Sequence, residues 1–439
     1  MARLASDAHA RRRPASLLVW IVPALLVLVG AFWIFRSKAP TAIAIAGHSM
    51  TPTLWGESLE MPCQDCGYPL RCSSPLDAAT ITCPNCGHAA NPVSEAVKRA
   101  SDLVQVTPLA SGQQPSRWDL VAFRRPGQSV EQGESEYGVK RVVGLPGESI
   151  SIRGGELFVD GELLKKSWGL FRQLRVEVHD RGYRPASPGG GISAWLPDHP
   201  LTGWTTSPRF RFQPGPTDML ERLVLERHPA IPQLVTPPGH LLKGIVDYYP
   251  ANQGIARPRL HQVRDLMIEA QVAAAAPAQF TLEIGRGETT YRATLDLDEQ
   301  LVLLHAGSTL LASHPITSSD RSSWKVGLAL FDGELVLSDD KGNCQVSVGM
   351  DMGDESRVTI MVAARAGEVE IEQLRVWRDV HWLDPNLTDE TWSVSRKLAE
   401  DEFFLLGDNA PVSKDSRHWR GGIRRADMLG TVQLFGVRD

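Results

Sequence analysis

The strongest constraint on how this chain folds is an uncharged, almost wholly apolar run at residues 17–35. At 1.5 Å per residue, a helix of this length spans about 28 Å, close to the hydrocarbon thickness of a bilayer. The run therefore predicts one transmembrane helix. Basic residues such as Arg11, Arg12 and Arg13 are more numerous before the run than just after it, so residues 1–16 are expected to be cytoplasmic. The rest of the chain is then expected on the extracytoplasmic side of the cell membrane, as a single-pass protein in contact with membrane lipid.

A cleaved signal peptide is the competing interpretation, because the small residues at 42–46 resemble a cleavage site. Two observations favour an anchor. The apolar run is longer than the ~7–15 apolar residues of a usual signal peptide. Cleavage there would also cut within a few residues of Ser49, a candidate nucleophile.

The remaining composition is that of a folded, multidomain protein. The chain has 439 residues, of which 42% are hydrophobic and 22% are charged, values near the globular average. Its formal net charge is −5, so no basic field attracts nucleic acid, and nucleic acid is not expected as a partner.

Three short motifs carry residues that can do chemistry. They are SMTPTL at 49–54, KRVVGLPGE at 140–148 and GDNAPVSKDSR at 407–417. Lys140 stands in a β-branched run that predicts a buried strand. Burial disfavours the ammonium form, so such a lysine can act as a general base. The alternative is an edge-strand lysine whose amine reaches water.

Together with RWDLVAF at 117–123, these motifs resemble in content and order the type I signal peptidases, a family of serine–lysine endopeptidases. The resemblance covers about residues 36–62, 105–162 and 401–437, and more than half of the chain lies outside it. It implies a mostly antiparallel β fold in which Ser49 is the nucleophile and Lys140 the general base. Hydrolysis would pass through an acyl-enzyme and would need no catalytic cofactor.

The same resemblance assigns supporting roles. Ser413 would hydrogen-bond to the lysine amine, and Asp415 and Arg417 would form an ion pair beside it. Arg141 and Asp408 would support the same site. Some family members carry a serine two positions before the nucleophile as an oxyanion donor; here that position is Gly47, so the backbone N–H of Ser49 would hold the oxyanion.

The expected partners are the signal peptides of exported precursor proteins, bound as an added strand with small residues at the first and third positions before the cut. Two extended segments are expected to line this peptide, and their residues are Ile43, Ala44, Ile45, Ala46, Tyr137, Gly138 and Val139.

Two C-x2-C pairs separated by 16 residues predict a small zinc ribbon. The four ligands would be Cys63, Cys66, Cys83 and Cys86. A closed four-thiolate site has no open position, so the zinc would be structural. Disulfides are the alternative, because the segment is expected in an oxidising compartment.

Residues 267–383 consist of short apolar runs about ten residues apart, separated by turns, which indicates a β-sandwich. In one of these runs Trp324, Val326, Leu328 and Leu330 alternate with other residues and are expected to face a core. This pattern of short strands and turns loosely resembles that of the concanavalin-like jelly rolls.

The predicted fold class is therefore mainly β: an N-terminal transmembrane helix and an antiparallel signal-peptidase core, interrupted by a zinc-ribbon insertion and a large β-sandwich insertion. The expected order is N-terminus (1–16), anchor (17–35), core with the nucleophile (36–62), zinc ribbon (63–100), core with the general base (101–162), inserted domain (163–400, with the sandwich at about 267–383) and the last core segment (401–439).

The function expected from the sequence is that of a membrane-anchored signal peptidase I, a serine endopeptidase. The alternative is a membrane-tethered binding or scaffold protein with a relict core and a ligand-binding sandwich. A relict core is expected to lose at least one site residue, so the presence of Ser49, Lys140, Ser413, Asp415 and Arg417 favours the enzyme.

Overall fold

The structure is a computed structural model of the chain. It describes residues 41–126, 137–186, 195–206, 209–216, 219–225, 235–236, 240–241, 244–253, 260–316, 323–339, 342–349, 358–383, 391–394, 396–419 and 421–435. The predicted cytoplasmic segment 1–16 and membrane anchor 17–35 lie outside these residues. Within them, no helix has both the length and the apolar character needed to cross a bilayer.

The described part of the chain is mainly β. The strands before residue 164 are β1 (Thr41–Ala44), β2 (Ser58–Pro62), β3 (Pro69–Ser73), β4 (Thr80–Ile81), β5 (Asn91–Pro92), β6 (Val97–Arg99), β7 (Leu103–Pro108), β8 (Leu120–Arg124), β9 (Tyr137–Gly144), β10 (Ile150–Arg153), β11 (Glu156–Val159) and β12 (Glu162–Leu163). The strands from 164 to 383 are β13 (Val176–Asp180), β14 (Trp195–Pro197), β15 (Trp204–Thr205), β16 (Phe210–Phe212), β17 (Glu221–Leu225), β18 (Val235–Thr236), β19 (His240–Leu241), β20 (Leu266–Ala274), β21 (Gln279–Arg286), β22 (Thr289–Asp296), β23 (Leu301–Ala306), β24 (Thr309–Pro315), β25 (Trp324–Phe331), β26 (Glu334–Asp339), β27 (Gly342–Ser347), β28 (Val358–Arg365) and β29 (Val369–Arg378). The last four are β30 (Thr391–Ser393), β31 (Glu402–Leu406), β32 (Ile423–Arg424) and β33 (Met428–Leu434).

Helices are few and short in these residues. The α-helices are α1 (Trp168–Leu174) and α2 (Ser416–Trp419), and 3-10 turns occupy Val93–Glu95, Pro250–Asn252, Ala410–Val412 and Arg425–Asp427.

One antiparallel sheet, the core sheet, carries the three sequence motifs. Its strand order is β1-β7-β33-β8-β9-β31-β32. Successive residues point to opposite faces: Val121 packs with Val142 and Leu405 on one face, while Ala122 packs with Met50 on the other. Burial on both faces fixes the register, because a slip by one residue would exchange the two faces.

A small sheet of order β12-β11-β10-β30 joins the core to the larger insertion. The chain leaves it after β12 and returns to it at β30, where Ser393 pairs with Ser151 of β10. The two ends of the insertion therefore lie in one sheet.

The larger insertion contains a two-sheet β-sandwich. The first sheet has the order β15-β16-β29-β20-β25-β26-β27, with β13 also pairing with β29, and the second has the order β14-β17-β28-β21-β22-β23-β24. Inward residues of both sheets form one buried apolar cluster, and it includes all four alternating residues predicted from the sequence, Trp324, Val326, Leu328 and Leu330. The strands β13 to β17 lie outside the predicted range 267–383, so the sandwich begins earlier in the chain than that range. These strands are short and interrupted, which is why their periodicity did not indicate a sheet.

The cysteine segment forms its own small unit, with sheets of order β3-β2-β6 and β4-β5. It contacts the edge of the sandwich, where Tyr68 Oη donates to Glu177 Oε1 at 2.6 Å and Asn85 exchanges hydrogen bonds with the backbone of Asp180.

Candidate active site

Ser49 lies in a tight turn between β1 and β2. Its carbonyl oxygen accepts from the backbone N–H of Asn409 at 3.0 Å. The next side chain, Met50, and the nearby Leu54 are buried in the core, with 2% and 1% exposure. Contacts at Ser49 and in the residues just after it therefore hold the turn in place. Ser49 itself is half-buried at the surface of the core sheet.

Lys140 reaches this turn from β9, where it pairs with Val121 of β8. Its Nζ donates a hydrogen bond to Ser49 Oγ. The two residues are 91 positions apart in the sequence, and the order of strands in the core sheet brings them together. The lysine is only 4% exposed, so it is not an edge-strand lysine with its amine in water.

Burial lowers the pKa of Lys140 to about 8. The negative charges of Asp415 and Asp408 act in the opposite direction, and the positive charges of Arg125 and Arg417 lower the pKa further. A substantial fraction of the amine is consequently neutral near neutral to mildly alkaline pH.

Asp415 and Arg417 form a buried, two-point ion pair. Arg417 Nε lies 2.8 Å from Asp415 Oδ1, and Nη2 lies 2.7 Å from Oδ2. Burial alone would raise the pKa of Asp415, but the Arg417 charge holds it well below its usual value. Arg417 also donates to the carbonyls of Trp382 and Ala410, which ties the loop after β31 to the end of the insertion.

Arg141 and Asp408 form a second buried two-point pair, with Nε to Oδ1 at 2.8 Å and Nη2 to Oδ2 at 2.6 Å. Thr53, four residues after Ser49, donates its hydroxyl to the same carboxylate. This pair connects the strand that carries Lys140 with the loop that contacts the Ser49 turn.

Ser413 differs from the expectation. Its side chain is buried, with 3% exposure for the residue, but its Oγ has no hydrogen-bond partner within the described chain. The amine of Lys140 is engaged by Ser49 instead, and Ser413 Oγ packs against the backbone of Gly407. The expected hydrogen bond between Ser413 and the lysine is therefore not formed in this structure.

Gly47 is exposed, and a Cβ built on it would meet nothing within 4 Å. The position two before Ser49 therefore faces open space, and it offers no side-chain donor. His48, the neighbour of the serine, points elsewhere: its Nε2 lies 3.2 Å from the carbonyl oxygen of Ser74 in the cysteine segment.

The predicted substrate-lining residues fall on two strands of the core sheet. Ile43 and Ala44 belong to β1, which is the edge strand of the described sheet. Gly138 and Val139 pair with β8 on one side, and the ladder between β9 and β31 begins only at Arg141.

The remaining three predicted substrate-lining residues differ in their solvent exposure. Ala46 and Tyr137 are exposed. Ile45, which is expected to contact the peptide through its main chain, has its side chain buried in the core with 6% exposure, and its N–H donates to the carbonyl oxygen of Asp102. Alternation along the strand turns this side chain inward.

Two site neighbours come from the insertion and were missed by sequence reasoning. Tyr249 Oη donates to the carbonyl oxygen of Asp408 at 2.9 Å, and Asn252 Nδ2 donates to Asn409 Oδ1 at 2.7 Å. Asn409 stood in the quoted GDN motif, but no local pattern marks Tyr249 or Asn252, which are more than 150 positions away from their partners.

The four predicted zinc ligands lie together. One sulfur from each of Cys63, Cys66, Cys83 and Cys86 lies within 4.8 Å of the others. The closest pairs, Cys63 with Cys86 and Cys66 with Cys83, are both 3.7 Å apart. All six cysteines of the chain are within the described residues, and none forms a disulfide.

The two cysteine turns have the same backbone geometry. The N–H of Cys63 donates to Tyr68 and that of Cys83 to His88, each five residues on. The glycines that follow, Gly67 and Gly87, have φ of 74° and 78°, a left-handed conformation that glycine adopts without a steric penalty.

An antiparallel β core brings a serine hydroxyl to a buried lysine amine, on motifs spread over three segments. A serine hydroxyl beside an amine base is an arrangement typical of serine hydrolases. The family model described as "Signal peptidase, peptidase S26" matches residues 17–186 and 370–436, more than half of the chain. The chain therefore belongs to the signal peptidase family, peptidase S26. Most of the sandwich lies in the unmatched segment 187–369. No curated protein matches the chain.

Several solved structures are similar to part of the chain, all with low TM-scores. The Emp46p carbohydrate recognition domain is 16% identical with a TM-score of 0.28, covering 45% of this chain and 96% of that one. The carbohydrate-binding module CBM66 from Bacillus subtilis is 10% identical with a TM-score of 0.22, covering 41% and 94%. The alginate lyase AlgAT5 is 11% identical with a TM-score of 0.22, covering 26% of this chain; the chain spans only 58% of that protein.

Because Gly407 has no side chain, Ser413 and the Ser49 turn approach its backbone closely, and this gives a first prediction. A Cβ at this position would lie 2.2 Å from Ser413 Oγ and 2.5 Å from the carbonyl oxygen of Ser49. We expect Gly407→Ala to displace the Ser49 turn and to lower the free energy of unfolding by about 1–3 kcal/mol, measured by chemical denaturation. Gly47→Ala, which meets no atom, is the matched control and should change it by less than about 0.5 kcal/mol. Equal effects of the two substitutions would contradict this account.

Proposed function

We propose that this protein is a membrane-anchored serine endopeptidase that removes signal peptides from exported precursor proteins through a Ser49–Lys140 dyad. The observation that carries the proposal is the hydrogen bond from the Lys140 amine to the Ser49 hydroxyl in a buried setting. Membership of the signal peptidase family supports the same activity. The precursor proteins and the membrane lipid are the proposed partners, and residues 17–35 are the proposed anchor.

In the proposed mechanism, the neutral amine of Lys140 takes the proton of Ser49 Oγ as this oxygen attacks the carbonyl carbon of the scissile peptide bond. The proton then passes to the leaving amine as the C–N bond breaks, and an acyl-enzyme ester remains on Ser49. Lys140 next takes a proton from water as the water oxygen attacks the ester carbonyl carbon. The C–O bond to Ser49 then breaks, the peptide leaves with its new carboxyl group, and the lysine returns the proton to Ser49 Oγ. The backbone N–H of Ser49 is the proposed oxyanion donor, since Gly47 supplies no side chain.

The two ion pairs have a positioning role in this proposal. The pair Arg141–Asp408 joins the strand of the base to the loop beside the nucleophile. The pair Asp415–Arg417 holds the loop that contains Ser413. Both carboxylates favour the ammonium form of Lys140, but burial has the larger effect on its pKa and makes the neutral form accessible.

An extended peptide is the proposed substrate conformation. The edge strand β1 and the residues Gly138 and Val139 each have one side that pairs with no described strand. A peptide inserted between them would gain main-chain hydrogen bonds on both sides. Ala44 and Ala46 are small and exposed there, which supports a shallow site that accepts small side chains.

We also propose that Cys63, Cys66, Cys83 and Cys86 bind a structural zinc ion. A tetrahedral ion with sulfur at about 2.3 Å requires sulfurs about 3.8 Å apart, and the two closest pairs lie at 3.7 Å. The sulfurs of a disulfide would lie about 2.05 Å apart. The zinc would stabilise the cysteine segment. This segment contacts β13 through Asn85 and the Ser49 turn through Ser74, whose carbonyl oxygen lies near His48.

The dyad gives the second prediction. Ser49→Ala and Lys140→Met should each reduce cleavage of a precursor with an Ala-x-Ala site by roughly a thousandfold or more, and the double variant should be no worse, because the two groups act as a unit. Ser313→Ala and Lys98→Met, at exposed positions of β24 and β6, are matched controls that should retain activity. Thermal unfolding checks that each variant is folded. A Lys140→Met variant with most of the original activity would remove the lysine from the mechanism.

The pH dependence is the third prediction. Because only the neutral amine is a base, kcat/KM should rise with pH and level off above a midpoint near the Lys140 pKa of about 8. Arg125 lowers this pKa, so Arg125→Gln should move the midpoint to higher pH. Arg99→Gln, on the exposed strand β6, should leave it in place. A kcat/KM profile that stays flat around pH 8, or a midpoint that does not move in Arg125→Gln, would contradict the assignment of Lys140 as the base.

The zinc site gives the fourth prediction. In purified protein, four sulfur ligands should bind one zinc ion per chain at about 2.3 Å, measured by X-ray absorption. Cys83→Ser should release it, because three thiolates do not close the site. Cys72→Ser, which removes a buried thiol outside the set, is the control and should retain the ion. Thiol counting that finds all four cysteines oxidised would exclude this site.

A further inference from the structure

Two segments of the insertion pair with one another near the loop after β31. Val246 forms an antiparallel bridge with Gln262, and the N–H of Asp247 donates to the carbonyl of His261 at 2.9 Å. The carboxylate of Asp247 turns back to the same residue: Oδ1 accepts from the N–H of His261 at 2.9 Å, and Oδ2 lies 3.2 Å from His261 Nδ1.

A second imidazole joins this pair from the segment after β29. His381 stacks on His261 with ring centroids 5.4 Å apart and an interplanar angle of 27°. It lies directly on Gly155, in the turn between β10 and β11. A Cβ on Gly155 would be only 2.0 Å from His381 Nδ1, and the φ of Gly155 is 87°. A glycine is thus required at this position both for the turn and for the room that the imidazole occupies.

The three side chains form a compact, buried donor set. One possible ligand atom from each of Asp247, His261 and His381 lies within 4.8 Å of the other two. The side chains of Asp247 and His261 are 2% and 10% exposed, and His381 is 5% exposed. Within the described chain, the buried Nε2 of His381 has no hydrogen-bond partner. A buried nitrogen without a partner is costly, and an ion would supply the missing interaction.

We propose that Asp247, His261 and His381 form a second metal site, selective for a divalent transition metal ion of the zinc type. Two imidazole nitrogens and one carboxylate oxygen are ligands that zinc and its neighbours prefer over magnesium or calcium. Ligand atoms about 2.0–2.2 Å from one tetrahedral ion are separated by roughly 3.3–3.6 Å, and the separation of Asp247 Oδ2 and His261 Nδ1, 3.2 Å, is close to this range. Three protein ligands leave a fourth position for water.

The ion would link two segments of the insertion that each contact the loop after β31, at Asp408 and at Arg417. Asp247 is two residues before Tyr249, whose hydroxyl holds the carbonyl of Asp408. His381 directly precedes Trp382, whose carbonyl accepts from Arg417 at 2.7 Å. An ion between Asp247 and His381 therefore fixes the two insertion segments that contact the two ion pairs of the site. The inference depends on neither the peptidase activity nor the four-cysteine site.

The test uses the full-length chain, stripped of metal and reduced, and titrated with Co²⁺ as the probe. Cobalt bound to thiolates shows intense sulfur-to-metal charge-transfer absorption, whereas cobalt bound to nitrogen and oxygen shows only weak d–d bands. We expect one equivalent of cobalt without charge-transfer absorption, whether or not the cysteines bind another. If all bound cobalt carries the thiolate signature, or if none binds, the second site does not exist.

Substitutions assign the signal to the three residues. His381→Asn and His261→Asn should each weaken the binding of this equivalent at least tenfold, and the thiolate signal should stay unchanged. His305→Asn, which replaces a histidine of β23 outside the set, is the control and should bind as the unaltered chain does. Undiminished binding in both His381→Asn and His261→Asn would overturn the proposal. If one variant fails to fold, the other variant and the titration of the unaltered chain still decide it.

Discussion

The site depends on one unfavourable arrangement, a lysine amine kept out of water beside a serine hydroxyl. The interior disfavours the ammonium form of Lys140, but two buried carboxylates nearby, on Asp408 and Asp415, favour it. Each carboxylate is paired at two points with an arginine of its own, Arg141 or Arg417. The charge of Arg417 lowers the pKa of Lys140 and so offsets part of the effect of these carboxylates, while burial remains the largest cause of the low pKa. Removing either arginine would leave a buried carboxylate without its ion-pair partner.

The motif residues of the site could be predicted from the sequence, because four local patterns in a fixed order identify them. Ser49, Lys140, Arg141, Asp408, Asp415 and Arg417 all lie in those patterns, and their contacts join three distant segments of one sheet. The detailed contact of Ser413 could not be predicted, because it depends on the rotation of one hydroxyl against Gly407. The inward direction of Ile45 follows from strand alternation, but only once the boundaries of β1 and the turn after it are known.

The insertions could be predicted only as separate units, and their contacts with the site could not. The alternating residues of β25 indicated a sandwich core, whereas the short strands β13 to β17 carry too few residues for a periodic signal. Tyr249 and Asn252 reach the site through long-range packing that leaves no local pattern. Together with His48, which contacts Ser74 of the cysteine segment, they show that both insertions contact the Ser49 turn or the loop packed against it.

These contacts are useful only if the sandwich keeps one orientation relative to the core, and a buried polar junction can fix it. Lys166, just after β12, lies 2.6 Å from the carboxylate of Asp332 and 2.9 Å from that of Asp379, which follow β25 and β29 of the sandwich. All three residues are almost fully buried. Apolar surfaces tolerate sliding, because their contacts are not directional, whereas a buried ammonium leaves a carboxylate unsatisfied if either side shifts by an ångström or two. The junction therefore favours one docking geometry, in which Tyr249 and Asn252 contact the loop after β31 and this loop in turn contacts Ser49.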